Sequence, residues 1–241
     1  MKDLAFDACT IFGARIISLS RHGGTSQGNF ASLNIADYVG DDKDAVVANI
    51  ARVSLIAGAD VALMRAEHGV RSAHVSVPGP QAPSDILISA DGSTPLVAIA
   101  ADCLPIAFVN SKSPALAVVH AGWRGVAAGA IDVALDAYAE LGIDLATSHA
   151  VIGPSICGSC YEVGPDVIEA VGARAPNAIR DATHVDLSSA AVLACENRGV
   201  AVTVLSGCTF ENDNLFSYRR ARGMATGRGG IVVTRNNEEA R

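Results

Sequence analysis

LVAIAADCLPIAFVNSKSPALAVVHA, residues 96–121, is the stretch of sequence that decides the fold. It contains three short apolar runs, over 96–101, 105–109 and 115–119, and a fourth run precedes it at 86–89. Each run is bounded by Asp, Pro, Ser or Gly. Continuous apolar runs of this length indicate buried strands in a sheet that is covered on both faces.

The segments around this stretch show both helix and strand patterns. Asp41 and Asp42 can cap a helix over roughly 43–58, for which Gly58 is a natural end. Further helices are predicted over 126–141, from Pro165 onward, and from Asp186 to Asn197, and further strands over 15–20, 150–153, 200–205 and 230–234. Because a regular strand–helix–strand alternation is missing, the sequence predicts an α/β fold with mixed sheets. No repeat or linker divides the chain, so we expect one domain over 1–241.

Composition and charge exclude several classes of function. Half of the residues are hydrophobic but only 5% are aromatic, so the core must consist largely of Ala, Val, Ile and Leu. The 18 basic and 25 acidic residues give a net charge of −7, which argues against nucleic-acid and anionic-membrane partners. The N-terminal residues lack the apolar core of a signal peptide, and no stretch is long and apolar enough to span a bilayer. We therefore expect a cytoplasmic protein.

Three segments place a potential metal ligand at the edge of an apolar element. They are RAEHGV around His68, AIAADCLPIAF around Cys103 and ALAVVHAGWRG around His120. In the second segment, Asp102 and Cys103 interrupt two buried strands, and Pro105 is expected to end the strand pairing. Two imidazoles and a thiolate suit zinc, and three protein ligands leave a fourth position open for water or substrate. Each residue alone is more often a core cysteine or a hydrogen-bonded histidine, so the prediction depends on their coincidence.

The six cysteines indicate thiols or ligands rather than disulfides, because their spacing is irregular and no export signal accompanies them. Cys157 and Cys160 form a CxxC pair. A redox function requires a thioredoxin-like strand-to-helix setting, which the Gly-Pro flanks do not clearly supply. A zinc knuckle requires a second pair, which the sequence lacks. Cys9, Cys195 and Cys208 show no partner pattern and are predicted to be core or incidental residues.

Basic residues within Gly-rich turns are the other unusual feature. Arg21 precedes a Gly-Gly pair, Arg124 lies within GWRG, and Arg219 and Arg220 follow FSY. Successive turn amides together with an arginine form a site for anions. One such arginine is most often an ordinary solvated residue, but three such turns in an acidic chain indicate a phosphate-sized anion.

Six motifs taken together resemble the laccase-domain family, whose members were formerly called multicopper polyphenol oxidases and are now regarded as zinc-dependent purine nucleoside phosphorylases. The resemblance covers about 18–233, with the motifs in the family's order. The motifs are SLSRHGGTSQGNFASLNIADYVGDD, DILIS, ADCLPIAF, VVHAGWRGVAAG, IGPSICGSCYEVGPDV and CTFENDNLFSYRRARGMATGR. ADCLP and HAGWRG are the most specific of them.

The resemblance implies a compact layered α/β sandwich with mixed β-sheets and metal ligands at His68, Cys103 and His120. The implied reaction is phosphorolysis of adenosine and inosine to the free base and ribose 1-phosphate. Related members also cleave methylthioadenosine and deaminate adenosine. The expected partners are therefore a purine nucleoside and phosphate, with Zn²⁺ as the cofactor, and we expect a monomer or a homodimer.

The residues assigned to catalysis are Cys103, Arg21, which could hold phosphate, and Asp102, which could orient a ligand or shuttle a proton. Tyr161 and Asn34 are assigned to sugar or base contacts. The complete set assigned to substrate binding is Arg21, Gly24, Ser26, Asn34, Arg124, Tyr161 and Arg220.

Two departures from the family pattern concern the substrate rather than the metal. The family usually has Gln two residues before the first ligand, where this chain has Ala66, followed by Glu67. It usually has an acidic residue after the paired arginines, where this chain has Ala221 and Arg222. Affinity for the nucleoside, or preference among nucleosides, could therefore differ.

Two other enzymes are alternatives. A copper-dependent polyphenol oxidase is disfavoured because a trinuclear copper site needs more imidazoles than the six in this chain, although Cu²⁺ could replace zinc in the same site. A cysteine hydrolase would use Cys103 as nucleophile and His120 as base, with a nearby aspartate to orient the imidazole. A non-enzymatic metal-binding module would instead close the site with a fourth protein ligand.

Overall fold

The computed structural model describes residues 4–235, which form an α/β fold with two mixed sheets. The strands are β1 (Ala5–Ile11), β2 (Ala14–Leu19), β3 (Ala62–Arg65), β4 (Ser72–His74), β5 (Gly79–Pro83), β6 (Ile86–Ser89), β7 (Leu96–Ala100), β8 (Leu104–Asn110), β9 (Leu116–Ala121), β10 (Ser148–Ile152), β11 (Ala201–Val204) and β12 (Gly229–Arg235). The α-helices are α1 (Lys43–Ala57), α2 (Trp123–Ala128), α3 (Ala130–Glu140), α4 (Pro165–Arg174) and α5 (Leu187–Asn197). The predicted fold class is confirmed.

Each sheet has six strands and contains both parallel and antiparallel pairs. The first sheet has the order β1-β2-β12-β7-β3-β5, with parallel pairing only from β7 to β5. The second has the order β11-β10-β8-β9-β6-β4, with a parallel pair at each edge and antiparallel pairing between them. The stretch over 96–121 therefore supplies one strand to the first sheet and two to the second.

The sheets are stacked on each other and covered by helices on their outer faces. Ile16, Ala98 and Val118 belong to the apolar core between the sheets. Val97, on the opposite face of β7, packs in a separate core with Val53 of α1. A third and larger core lies between the second sheet and helices α2 to α5. Strands β6 to β9 are almost wholly buried because both of their faces are covered, which explains their uninterrupted apolar sequences.

The predicted helix ends at Asp42, Gly58, Pro165 and Asp186 are confirmed. The Asp42 carboxylate accepts a hydrogen bond from the amide of Ala45, and Gly58 ends α1 with φ at 83°. Pro165 is at the start of α4, and the Asp186 carboxylate caps α5. Of the two aspartates proposed to cap α1, only Asp42 does so.

Two local predictions were wrong. Pro105 does not end the strand pairing, because it lies within β8 opposite His120 and its carbonyl accepts a hydrogen bond from the amide of Gly153. A proline lacks the backbone N–H donor, but its carbonyl oxygen can still accept a hydrogen bond within the sheet. The helix expected over 126–141 is instead two helices, because Gly129 adopts a left-handed conformation with φ at 82°.

Within the part of the chain that the structure describes, no helix is long and apolar enough to cross a membrane.

Strand β12 depends on a glycine at position 230. Its φ is +141°, and a Cβ built there would lie 1.9 Å from the carbonyl oxygen of Ala98 in β7. We expect Gly230→Ala to lower the free energy of unfolding by about 1–3 kcal/mol, as measured by urea denaturation. Gly229→Ala is the matched control, because its Cβ would meet nothing closer than 3.6 Å. Equal stability of the two variants would contradict this account of the β7–β12 pairing.

Candidate metal centre and cleft

The fold brings His68, Cys103 and His120 together from three separate segments. His68 follows β3, Cys103 lies in the turn between β7 and β8, and His120 lies near the end of β9. One potential ligand atom from each residue lies within 4.8 Å of the other two. The Cys103 Sγ is 3.9 Å from the His68 Nε2. The two imidazoles meet edge to face, with centroids 4.9 Å apart.

The backbone at this cluster is specialised for close approach. His68 and Asp102 both have positive φ angles, of 64° and 96°. A Cβ on Gly122 would lie 2.9 Å from the Cys103 Sγ and 3.1 Å from the His68 Cδ2. Gly122, the first glycine of the HAGWRG motif, is therefore required because a larger residue would collide with two of the three candidate ligands.

Asp85 supports the cluster, although no local motif in the sequence marked it as a functional residue. Its side chain is fully buried, and its Oδ1 lies 2.8 Å from the His120 Nδ1. The same carboxylate accepts hydrogen bonds from the amides of His68 at 3.0 Å and Gly69 at 2.7 Å. Its backbone carbonyl accepts the amide of His120. The aspartate of DILIS therefore fixes both histidines; the only signal in the sequence was an acidic residue at the start of a buried strand.

The electrostatics favour charged forms of Asp85, Cys103 and His120. Burial raises the pKa of Cys103, but the charge and hydrogen bond of His120 outweigh it and lower that pKa to about 6. Burial likewise lowers the pKa of His120, but the Cys103 thiolate and Asp85 raise it to about 9. Burial raises the pKa of Asp85, yet the hydrogen bonds from His120 and the Gly69 amide produce a net decrease. Cys103 and His120 thus shift each other's pKa towards the charged forms, and Asp85 reinforces the shift at His120.

The donor set fits a zinc ion. Zinc binds imidazole nitrogen and thiolate sulfur, and a site with three protein ligands keeps a position open for another molecule. Asp85 engages the His120 Nδ1, which directs the Nε2 of that ring towards the cluster. A carboxylate bonded to the far nitrogen of a ligating imidazole is the usual support of such a ligand. His68, Cys103 and His120 could therefore hold the metal.

The cluster lies in a cleft of about 490 Å³ whose walls are aromatic and cationic. Arg124 lies over the ring of Trp123 at 4.3 Å, and Arg219 lies over the ring of Tyr161 at 5.3 Å. A third pair is Arg228 over Tyr218 at 5.6 Å. Each distance joins the guanidinium carbon to the ring centroid. Three guanidinium groups in one cleft provide a local basic site in a chain whose net charge is −7.

Of the residues predicted to bind substrate, Arg124 and Tyr161 line this cleft. Arg21 and Arg220 line a separate pocket of about 200 Å³. The guanidinium of Arg21 donates to the Ala31 carbonyl at 2.8 Å and lies over the Phe216 ring. Arg220 donates to several backbone carbonyls, among them those of Phe210 and Asn212.

Gly24, Ser26 and Asn34 form part of the packing around the first Gly-rich motif and do not line the cleft. A Cβ on Gly24 would lie 2.1 Å from the Ser32 carbonyl oxygen. The buried Ser26 donates to Asp41 at 2.6 Å, and the buried Asn34 donates to the same carboxylate at 2.8 Å.

The side chain of Asp102 is occupied by neighbouring groups of the protein. One of its carboxylate oxygens accepts from the Thr209 hydroxyl at 2.6 Å, and the other accepts from the amide of Arg219 at 2.7 Å. Its backbone carbonyl accepts the amide of Ile156. Asp102 thus joins the turn that carries Cys103 to the segment that carries Arg219.

Several residues that line the cleft were missed in the sequence. Trp123, Arg228 and Tyr218 lie within the family motifs, but no spacing signal marks them as residues of a shared cleft. Tyr38 and Ala66 also line the cleft, so one of the two departures from the family pattern lies at the site.

Cys208, predicted to be a core or incidental residue, lies next to the CxxC pair. Its Sγ accepts a hydrogen bond from the amide of Cys157 at 3.3 Å. Cys157, Cys160, Cys208 and Glu211 form a second cluster of potential metal ligands in the described residues. This cluster joins a local CxxC pair to a segment about 50 positions away, which no local spacing rule would detect.

Comparisons with known proteins identify the relatives of this chain. Residues 15–236 match the family model described as multi-copper polyphenol oxidoreductase laccase. A purine nucleoside phosphorylase of Streptomyces coelicolor is 35% identical over 91% of this chain and 94% of its own length. A Deinococcus radiodurans protein with the same name is 35% identical over 89% of this chain and 86% of its own. A crystal structure of a Neisseria meningitidis protein superimposes with a TM-score of 0.85, at 29% identity, over 97% of this chain and all of its own.

The role of Asp85 can be tested through metal affinity. We expect Asp85→Asn to weaken zinc binding by roughly ten- to a hundredfold, since the amide cannot keep the charge that orients the His120 ring. The measurement is competition with a chromogenic chelator, at a protein concentration and temperature where circular dichroism shows both proteins folded. Asp91→Asn, at an exposed turn, is the control. Equal zinc affinity of Asp85→Asn and the unmodified protein would refute the supporting role.

Proposed function

Because this chain belongs to the family described as multi-copper polyphenol oxidoreductase laccase, and because its relatives include named purine nucleoside phosphorylases, we propose that it is a zinc-dependent purine nucleoside phosphorylase. It would cleave adenosine or inosine with phosphate to give the free base and ribose 1-phosphate. The observation that carries the proposal is the position of the His68, Cys103 and His120 cluster in a cleft lined by three arginine–aromatic pairs. We propose the cytoplasm as its location.

The cleft suits both parts of the substrate pair. A volume of about 490 Å³ lies within the range of pockets for small molecules. The aromatic side chains of Trp123, Tyr161 and Tyr218 offer flat apolar surfaces to a purine base. The guanidinium groups of Arg124 and Arg219 offer paired donors to phosphate oxygens. Arg228, whose Nη1 donates to the carbonyls of Thr226 and Gly227, offers its remaining N–H groups. We therefore assign phosphate to these arginines in place of Arg21 and the turn at Gly24.

In the proposed reaction an oxygen of phosphate forms a bond to C1′ of the ribose while the bond from C1′ to the purine nitrogen breaks. The electron pair of the broken bond leaves with the base, and the ribosyl group develops positive charge, as in glycoside cleavage. The arginines neutralise the phosphate and hold it next to the sugar. A bound zinc ion would supply Lewis-acid stabilisation of negative charge.

Tyr161 and Asp102 have distinct proposed roles. Burial raises the pKa of Tyr161, and the negative charge of the nearby Cys103 thiolate raises it further, to about 12. The phenol therefore keeps its proton and can donate a hydrogen bond to the departing base. Asp102 acts as a positioning residue, because both of its carboxylate oxygens already accept hydrogen bonds from the segment that carries Arg219.

Cleavage of methylthioadenosine and deamination of adenosine are further activities that the same cleft could support, and we propose them only as secondary ones. A copper-dependent polyphenol oxidase is disfavoured by the structure of the described residues, where only two histidines share a cluster of potential ligands. The proposed reaction is compatible with a monomer or a homodimer, because all the residues assigned to it come from one chain.

A cysteine hydrolase is the second candidate, and one observation favours it. Cys103, His120 and Asp85 follow one another as thiolate, imidazole and buried carboxylate, the order of groups in a nucleophilic triad. His68 argues for the metal instead, because a triad has no use for a second imidazole whose Nε2 lies 3.9 Å from the sulfur. The two candidates differ in whether activity requires a metal: the phosphorylase needs zinc, whereas the cysteine hydrolase does not.

The proposed activity predicts phosphate-dependent release of base. We expect zinc-loaded protein to convert inosine and phosphate into hypoxanthine and ribose 1-phosphate, measured by chromatography and phosphorus NMR, with no release when phosphate is omitted. Chelation should abolish the reaction and zinc should restore it, while Cys103→Ala stays inactive. Phosphate-independent turnover that survives chelation would instead support the hydrolase.

The assignment of phosphate predicts a selective kinetic defect. We expect Arg124→Gln to raise the KM for phosphate at least tenfold, with a smaller change in the KM for inosine, because a charged hydrogen bond to the anion contributes about 1.5–3 kcal/mol. Arg198→Gln is the matched control, since Arg198 pairs with Asp136 on the outer helices and does not line the cleft. If the phosphate KM does not change in Arg124→Gln, the anion must bind elsewhere, and the pocket of Arg21 and Arg220 becomes the next candidate.

A further inference from the structure

A second group of soft ligands lies outside the cleft. Cys157 and Cys160 belong to the loop that follows β10, whereas Cys208 and Glu211 belong to the segment between β11 and β12. One ligand atom from each of the four residues lies within 4.8 Å of all the others. The two segments run side by side here, since Ser155 forms a parallel bridge with Cys208 and its carbonyl accepts the amide of Thr209.

Two of the sulfur atoms in this cluster have polar partners within the protein. The Cys208 Sγ accepts a hydrogen bond from the amide of Cys157 at 3.3 Å, and the Cys157 Sγ lies 3.2 Å from the Ser159 hydroxyl oxygen. The first of these bonds joins the loop of the CxxC pair to the segment of Cys208, so it keeps the sulfur atoms close together. Cysteines bind metals as thiolates, and a metal ion itself favours that form.

We propose that Cys157, Cys160, Cys208 and Glu211 form a second metal site, which takes a zinc ion with four protein ligands. Three thiolates and a carboxylate are ligands that zinc accepts, and four protein ligands make a closed structural site. Soft sulfur ligands select against magnesium and calcium, whose ligands are oxygen atoms. The three cysteines are half-buried and Glu211 is exposed, so an ion can reach the cluster from solvent.

This second site would stabilise one wall of the cleft. Tyr161 directly follows Cys160, and Thr209, which donates to the Asp102 carboxylate, directly follows Cys208. Asp102 in turn accepts the amide of Arg219 and precedes the candidate ligand Cys103. An ion at the second site would thus connect two segments that both contact the catalytic cleft. The inference does not rest on the proposed reaction, because it concerns metal content and not turnover.

The test is the zinc content of single-site variants. Unmodified protein, Cys208→Ser, Cys103→Ala and the control Cys9→Ser are loaded with excess Zn²⁺ and desalted, and bound zinc is measured by inductively coupled plasma mass spectrometry. Cys9 lies on the edge strand β1 and belongs to neither cluster. We expect two zinc ions per chain in the unmodified protein and in Cys9→Ser, and one in each of the other variants. One zinc ion per chain that is lost in Cys103→Ala and kept in Cys208→Ser would overturn the proposal.

A second measurement uses only the unmodified protein, so it does not depend on the folding of a variant. Iodoacetamide is applied to the folded protein with and without Zn²⁺, and modification is quantified peptide by peptide by mass spectrometry. Zinc should protect Cys157, Cys160 and Cys208 and leave Cys9 unaffected. Equal alkylation of the three cysteines in both conditions would contradict the proposal. A disulfide between any two of them in protein isolated under reducing conditions would also contradict it, and would point to a redox pair instead.

Discussion

The buried carboxylate of Asp85 is the constraint on which the rest of the site depends. It lies at the start of β6, in the second sheet, and it accepts hydrogen bonds from the loop after β3, which is a strand of the first sheet. It also bonds the ring of His120 on the neighbouring strand β9. A buried charge must be compensated by such bonds, so the carboxylate fixes the loop and the imidazole together. The two sheets are thereby joined at the point where the candidate ligands meet.

The layered fold explains why the ligands converge from distant parts of the chain. Strand β7 belongs to the first sheet and β8 to the second, so the turn between them passes from one layer to the other and carries Asp102 and Cys103. Apolar packing on both faces holds these strands rigidly, and rigid elements are the best support for a site that must keep its geometry. The cationic walls come from α2, which carries Arg124, and from the segment between β11 and β12, which carries Arg219 and Arg228. The local field of the cleft therefore differs in sign from the net charge of the protein.

The sequence predicted the parts of this arrangement that have a local signal. Strands β6 to β9 were recognisable from their apolar runs, and α1 and α5 from their aspartate caps. Strands β1, β3, β4 and β5 were not predicted. Strands β3 and β4 have only four and three residues, β5 contains two prolines, and β1 is an edge strand without a continuous apolar run. His68, Cys103 and His120 stood out as ligand types at the edges of apolar elements, and the fold brings them together. Asp85, the arginine–aromatic pairs and the approach of Cys208 to the CxxC loop depend on contacts between distant segments, which no spacing rule contains.

Anomalous diffraction at the zinc edge, from crystals of the zinc-loaded protein, tests the central claim most directly. The account predicts a peak in the cleft at zinc–nitrogen distances of about 2.0–2.1 Å from His68 and His120, and about 2.3 Å from the Cys103 sulfur, with no fourth protein ligand. The His120 Nδ1 should remain bonded to Asp85. Absence of a peak at these three residues, in crystals that contain zinc, would contradict the account, and so would a fourth protein ligand that closes the site.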